Sequence, residues 1–471
     1  MAILPNIIRT TNRQQMKQIV LITLLFLTTQ TFGQIPNKLT AADKIYGLSK
    51  FWQEVNYNFI YLDKVDKTMW NNRYKELITT VQLTKNDYEY YRELQKFCAL
   101  LKDGHTNVYF PKGIEQMTRM FGDYRLFIEN IDGREVIVRT NLSKKDEIPF
   151  GSEVIEVNGK PTQKYIDEDV APYISSSTGY VLKDWSTARL LSGLEGEKFT
   201  IKIKKPNTKI IELTLTHKTT AEKEVYPPFE PARQLLDFKW KNNQVAYVSL
   251  NSFEDKKIDS LFVQLLPELY KAKALIIDLR YNGGGNSEIG TEILKYLTND
   301  KVLYGARNSS RLHIPTFKAW GRFVEAKDSS ENEWTKKAYL SFNDKFYYHF
   351  DYEPDSVKLD AKRIVVPTVL LLGHNTASAA EDFLIYADNQ KHMTKMGENS
   401  FGSTGQPFLF DLPGGGSARI CTKRDTYPDG REFVGFGIKP DIEVKRTLSD
   451  YLNKKDPVVE RAMEYLMQKI K

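Results

Sequence analysis

Ser378 lies in Leu370-Leu-Leu-Gly-His-Asn-Thr-Ala-Ser-Ala-Ala-Glu-Asp-Phe383, where an apolar run from Ile364 to Leu372 stops at Gly373 and a helical pattern begins. Buried strand, short polar turn and helix start together put a hydroxyl beside the unpaired N–H groups of a helix N-terminus. The partial positive charge there can stabilise an oxyanion, and the alanines around Ser378 leave room for a substrate carbonyl. A serine at a helix start also serves simply as a cap, so its position alone does not make it a nucleophile. A second stretch bears on the choice. Asp278-Leu-Arg-Tyr-Asn-Gly-Gly-Gly-Asn286 also follows a buried-strand pattern and precedes a helical one. It lacks the Lys-Ser/Thr of a P-loop and the spacing of a dinucleotide fingerprint, so nucleotide binding finds no support. Its glycines instead let the backbone approach a substrate closely and offer N–H groups to a carbonyl oxygen.

A nucleophilic serine needs a base, and the six histidines can be taken one by one. His217 and His349 fall in strand-like or aromatic segments, His392 at a helix end and His313 in a long insertion. His374 is four residues before Ser378 on the tight turn, where backbone is a natural partner. His105 stands in Lys102-Asp-Gly-His-Thr-Asn107, a glycine-containing turn of the kind that can aim a side chain into a cleft.

These turns need elements to hold them. From Thr40 to Leu101 apolar residues recur at helical spacing (Phe51, Trp52, Val55, then Tyr90, Leu94, Phe97), which predicts a helical domain over residues 34–115. The period then changes to two. Arg134–Arg139, Phe199–Lys204 and Ile210–Leu215 read as strands of a β domain over 120–222, with a hairpin turn at Asn158-Gly159. Its run Ser152-Glu-Val-Ile-Glu-Val-Asn-Gly159 resembles the signature of a PDZ domain. Strands and helices alternate over 235–450, predicting an α/β core, and Asp456-Pro457 starts a C-terminal helix within 451–471. The aromatic stretch Tyr304 to Ser356 has no clear period and is expected to act as a lid or binding surface.

Composition excludes more than it specifies. The formal net charge is +7, and Arg9, Arg13 and Lys17 carry part of it before residue 34; without a basic, aromatic-interleaved cluster no nucleic-acid partner is expected. Lys17 and the apolar run to Leu27, with small residues near Gly33, read as a signal peptide over 1–33, giving an exported, periplasmic or secreted protein without stable membrane insertion. Cys98 and Cys421 are too few and too far apart for a disulfide framework. With no CxxC, HExxH or clustered His/Asp spacing, no metal and no cofactor is expected.

Asp278-x-Arg-x-Asn-x-Gly-Gly285, Thr376-Ala-Ser-Ala-Ala-Glu381 and Gly435-Phe-Gly-Ile-Lys-Pro-Asp441, behind a PDZ-like block, resemble the C-terminal processing (tail-specific) serine peptidases, over roughly residues 90 to 445. The resemblance implies an α+β multidomain fold: an N-terminal helical domain, a PDZ-like domain and a crotonase/ClpP-like α/β peptidase core. One branch of that family uses a Ser-Lys dyad, but Ser403 stands where its lysine would be, and Lys391 and Lys395 fall outside the motif. The tricorn-like branch uses a histidine from before the PDZ domain, and Asp103-Gly-His-Thr106 matches that motif. The resemblance therefore assigns Ser378 as nucleophile, His105 as base and Glu432 as supporting carboxylate. Ala379 with Gly284 or Gly285 would form the oxyanion hole. Gly104 replaces a serine found in tricorn, so the contact orienting His105 would come from Asp103, Thr106 or a water. The expected activity is that of an exported serine endopeptidase on polypeptides engaged by their C-termini, rising with pH through roughly 6 to 7.5 as an ordinary imidazole loses its proton. The alternative is a catalytically silent PDZ-containing peptide-binding protein.

Overall fold

The computed structural model describes residues 38–117 and 122–470, so the signal-peptide reading of 1–33 lies outside the described residues. Three helices open the described chain: α1 (Ala41–Asn58), α2 (Lys67–Gln82) and α3 (Asp87–Ala99). Each begins on a side-chain cap, from Thr40, Asp66 and Asn86, which gives an otherwise unpaired first-turn N–H an acceptor. Of the apolar positions predicted from the spacing, Phe51, Val55, Tyr90, Leu94 and Phe97 are buried and Trp52 is half-buried, and Trp70 stacks on Phe97 with ring centroids 3.8 Å apart. The helices do not form a core of their own. Leu48, Phe51 and Phe97 belong to one hydrophobic cluster with Val248, Leu275 and Leu370 of the central sheet.

After α3, strand β1 (Asn107–Tyr109) leaves the helical layer and pairs elsewhere, as described below. The middle unit is antiparallel. Its main path is β2 (Phe127–Ile131), β3 (Arg134–Asn141), β4 (Ser152–Val157), β5 (Lys198–Lys204) and β6 (Ile210–Thr216), in that spatial order. Asn158 and Gly159 both have positive φ (50° and 77°), and the chain turns back so that Val157 faces Lys160, as that dipeptide predicts. This unit has a separate core around Ile137, Val154, Ile201 and Ile203. Helix α4 (Gly179–Ala188) lies along β2, an edge strand of that path, where Asn130 donates to Asp184 at 2.6 Å.

The central sheet is formed by β7 (Leu236–Trp240), β8 (Val245–Leu250), β9 (Ala274–Asp278), β10 (Thr368–Leu372), β11 (Met393–Gly397) and β14 (Ile442–Glu443), in the order β14-β11-β10-β9-β8-β7. All pairings are parallel except β7 with β8. β8, β9 and β10 are buried along their whole length, as strands covered on both faces must be. Helices α5 (Lys257–Leu269), α6 (Ser287–Lys295) and α9 (Ala379–Tyr386) connect the sheet; α10 (Pro457–Lys469) covers Val245, Ile276 and Val369 with Val458, Ala462 and Leu466. Pairing of Asp278 with Leu371 brings the ends of β9 and β10 level. The loops that follow are therefore neighbours at the carboxyl edge of a parallel sheet, where α/β folds open a crevice.

The segment between α6 and β10 is more regular than its sequence suggested. It contains α7 (Pro315–Gly321) and α8 (Glu333–Phe342), packed together, and a strand Arg307–Arg311 paired with Lys423–Thr426. Short helices of weak periodicity persist through such tertiary packing. Asp344 ties the segment to α2 and to its own strand through ion pairs with Lys67 and Arg311.

Candidate active site

Strand β10 ends at Leu372 and α9 starts at Ala379, leaving a tight turn with Ser378 at its end. Thr376 fixes that turn: its hydroxyl donates to the Leu279 carbonyl at 2.9 Å and accepts the Gly373 N–H at 3.0 Å. Ser378 itself has φ 55° and ψ −122°, a conformation that a residue with a Cβ rarely adopts. Strain of this kind persists only where the surroundings over-determine it, and it is enriched at reactive residues. The following alanines, Ala379 and Ala380, are buried, so the partly exposed Ser378 is presented at the head of the helix.

The neighbouring turn is built by Asp278, Arg280 and Asn282. Arg280 bonds both oxygens of buried Asp278 and also reaches Asp456 at 2.9 Å, tying β9 to the start of α10. Asn282 donates from its side chain to the Leu250 carbonyl at 3.0 Å, and its own carbonyl accepts the Ala377 N–H at 3.0 Å. Its Oδ1 accepts the Gly284 N–H at 2.9 Å. That last bond corrects one expectation, because the Gly284 amide is already committed and is not available to an oxyanion. Gly284 has a steric role instead: a Cβ there would lie 2.7 Å from Ser378 Cβ, 2.8 Å from the Ala377 oxygen and 3.0 Å from the Ala379 nitrogen. The N–H groups of Ala379 and Gly285 take no hydrogen bond among the described residues.

His105 reaches the same region from the other end of the chain. Strand β1 adds to the hairpin β12 (Pro407–Asp411) and β13 (Ser417–Cys421), with Val108 opposite Ala418, and this pairing carries the 102–106 turn to the core. His105 Nδ1 lies 2.8 Å from Ser403 Oγ, and Ser403 donates to Asp103 Oδ1 at 3.2 Å. A hydroxyl whose proton is on a carboxylate must accept from the ring. The order Asp103, Ser403, His105 therefore places the imidazole proton on Nδ1 and leaves Nε2 with a lone pair. Asp103 is fully buried, and burial pushes its carboxyl up against hydrogen bonds from Thr106, Ser403, the His105 N–H and Ser177. Burial, with the charges of Arg419 and Lys423, pushes the His105 pKa down to about 4.

The loop 400–404 spans the space between the two halves. Phe401 N–H donates to the Thr376 carbonyl at 2.9 Å, and Gly402 N–H donates to Glu381 Oε1 at 2.7 Å. Glu381 also accepts the Ser378 N–H at 3.1 Å and the Ser400 hydroxyl at 2.5 Å, while burial pushes its carboxyl up to about 8. Among the described residues no hydrogen bond joins His105 to Ser378; both are tied to the same loop, one through Ser403 and the other through Glu381.

Glu432 stands apart from this arrangement. Its exposed carboxylate pairs with Lys64 at 2.8 Å, and the group on His105 Nδ1 is Ser403. His374 also has other work: Nδ1 bonds Asp184 of α4 at 2.6 Å, and the ring stacks on Tyr180. Burial opposes its charge, but the Asp184 bond with the Asp184 and Glu398 charges outweighs it and raises the His374 pKa. Lys395 is taken by Asp388. Lys423 pairs with Asp425 at 3.2 Å; burial opposes its charge, yet Asp425 and Asp382 keep its pKa above the ordinary lysine value, so it does not offer a neutral amine. In the sequence Asp103 stands among the candidate orienting groups, whereas Ser403 is marked only as the residue in the place of a lysine. The burial of Ser403 and Thr404 is what marks their loop as structural to the site.

Residues 244–444 match the model of peptidase family S41. Over 428 residues the chain is 22% identical to a carboxyl-terminal-processing protease of Picosynechococcus sp., covering 89% of this chain and 88% of that protein. It is 24% identical over 331 residues to the carboxy-terminal processing protease CtpA of Bacillus subtilis, covering 69% of this chain and 56% of that protein. Among solved structures, mature CPAF complexed with lactacystin has a TM-score of 0.66 at 15% identity, covering 91% of this chain and 99% of that one, which is a likeness of fold.

Proposed function

The chain belongs to peptidase family S41 through residues 244–444 and is a serine-type peptidase, and from that premise we propose that it is an exported endopeptidase with Ser378 as nucleophile and His105 as base. Ser378 Oγ attacks a peptide carbonyl while His105 Nε2 takes its proton and then delivers it to the departing amine. The N–H groups of Ala379 and Gly285 receive the tetrahedral oxyanion, at a helix start where partial positive charge is already in place. The observation that carries this reading is the Asp103–Ser403–His105 chain, which leaves Nε2 as the ring's acceptor. Ser403 and Asp103 are positioning residues that take the supporting part the family resemblance assigns to Glu432. A histidine base held this way favours the tricorn-like style of catalysis.

The middle unit is read as PDZ-like, with the helical layer as the cap of the α+β assembly. The open edge of β2 beside α4 suits a polypeptide tail added as a further strand. A bay of about 770 Å³ runs from Asn130 and Trp185 past Arg280 to His374, four residues from Ser378, and gives such a tail a route toward the nucleophile. Among the described residues no helix is long and apolar enough to cross a membrane. Export rests on the leader pattern in residues 1–33.

The pH–rate profile tests the base. Only the neutral imidazole accepts a proton, so lowering the His105 pKa moves the onset of activity to lower pH. The ordinary value would put that onset between pH 6 and 7.5; burial puts it near about 4, with a plateau through neutral pH. An acid limb above pH 8.5 in tailed-peptide cleavage would point to a lysine base and contradict the assignment. In Ser403→Ala the kcat is expected to fall by about 10–100-fold with KM little changed, because the ring loses its orienting acceptor. Ser403→Thr, which keeps a hydroxyl, is expected to recover most of that loss. A KM effect alone would remove Ser403 from the positioning role.

A further inference from the structure

The arrangement around Arg92 and Arg189 has no part in the chemistry above. Between α3, strand β1 and the 165–193 face of the middle unit lies a cavity of about 350 Å³, the size of a small-molecule site. Both arginines line it. Arg92 lies over the Tyr173 ring, 3.5 Å from its centroid, and donates one N–H to Gln95 at 3.1 Å. The Arg189 guanidinium lies 5.6 Å from the Trp185 ring centroid and makes no hydrogen bond or ion pair among the described residues.

Among the described residues neither guanidinium is ion-paired. The acidic lining groups are Asp169, held by Lys160 at 2.6 Å, and Glu115; neither is ion-paired to Arg92 or Arg189. The Glu197 charge acts on Arg92 without forming an ion pair with it. Two like charges thus share a partly enclosed space, and burial together with the Arg92 charge pushes the Arg189 pKa down. Arg92 is half-buried and Arg189 exposed, so the cost that an anion between the two would relieve is their mutual repulsion across the cavity. Planar guanidinium forks match the two or three oxygens of a carboxylate or phosphate. Tyr88, Tyr109 and Tyr165 add aromatic walls suited to the organic part of such a ligand.

We infer that this cavity binds a small organic oxyanion, a carboxylate or phosphate monoester, clasped between Arg92 and Arg189. The site is separate from the β2–α4 groove and from Ser378. It touches the histidine turn from behind: Ser175 in its wall bonds both the N–H and the carbonyl of Asp103, and Asn107 donates to the Gly104 carbonyl at 2.9 Å. A bound anion would therefore stiffen the frame that carries His105.

Isothermal titration of the full chain at low ionic strength tests this with three probes: phenyl phosphate, N-acetyl-tyrosine and N-acetyl-tyrosine amide. Saturable binding of either acid, with the uncharged amide at least tenfold weaker, is the expected result, and which acid binds tells phosphate from carboxylate recognition. Arg189→Gln, on the solvent side of the cavity, is expected to weaken binding at least tenfold, and Arg92→Gln/Arg189→Gln to abolish it. If no acid binds saturably, if the amide binds as well as the acid, or if Arg189→Gln leaves affinity unchanged, the inference is wrong. The three probes on the unaltered protein decide the matter even where the double variant does not fold.

Discussion

Ser378→Ala and His105→Ala are each expected to lower cleavage of an unstructured polypeptide such as casein by about 10^4- to 10^6-fold, with the double variant no worse than either single one. The reason is that in the proposed mechanism the two side chains act as a unit. Without the hydroxyl there is no nucleophile, and an imidazole has no proton to take. Without the imidazole the hydroxyl stays protonated, and its own pKa is far too high for self-activation. Residual turnover in both would come from the oxyanion N–H groups and substrate binding, which neither change touches. Additive losses in the double variant would mean that the residues serve separate steps. A mild loss in His105→Ala alone would move the base elsewhere, with His374 as the first place to look because it lies on the same turn as Ser378. Circular dichroism and thermal melts distinguish these outcomes from unfolding. Ser378→Ala removes one oxygen from a partly exposed position, and its fold is expected to survive.

Gly284→Ala is expected to lower kcat by at least about 100-fold, the scale of losing one oxyanion contact. The added methyl would stand 2.7 Å from Ser378 Cβ and 3.0 Å from the Ala379 nitrogen, with the Ala377 oxygen at 2.8 Å. None of these is the far end of a flexible side chain, so the two turns must separate. The backbone adds a second obstacle, since φ at Gly284 is 103°, a region costly for any residue with a Cβ. Gly283→Ala is the control in the same turn. A Cβ there meets nothing within 4 Å, and near-normal activity is expected. Equal losses in both would indicate that the turn needs flexibility and not the contact between Gly284 and Ser378.

Much of the site was legible because its strongest signals are local. A buried strand ending at Leu372, a polar turn and a helix beginning with small residues form one continuous pattern, and the structure keeps it. The glycine-rich turn was equally readable as a turn, though not the fate of each amide. That Gly284 N–H is held by Asn282 depends on a side-chain rotamer that no spacing encodes. The histidine's partner was harder. Ser403 is separated from His105 by 298 positions, and the two meet only because β1 pairs with the β12–β13 hairpin. Glu432 illustrates the converse. Motif order brought it near the right stretch of chain, but the loop directs its carboxylate to Lys64 on the helical layer. Periodicity likewise found α1 to α3 and not that they lack a separate core, because a helix's apolar face does not say which neighbour will cover it.

Covalent labelling with a fluorophosphonate, mapped by peptide mass spectrometry, tests the central assignment most directly, since it reads the activated hydroxyl without requiring the natural substrate. The expected result is a single adduct on Ser378, absent in Ser378→Ala and formed at least about 100-fold more slowly in His105→Ala, the scale of a lost general base. An adduct on another serine, or labelling of Ser378 at an unchanged rate without His105, would contradict the account.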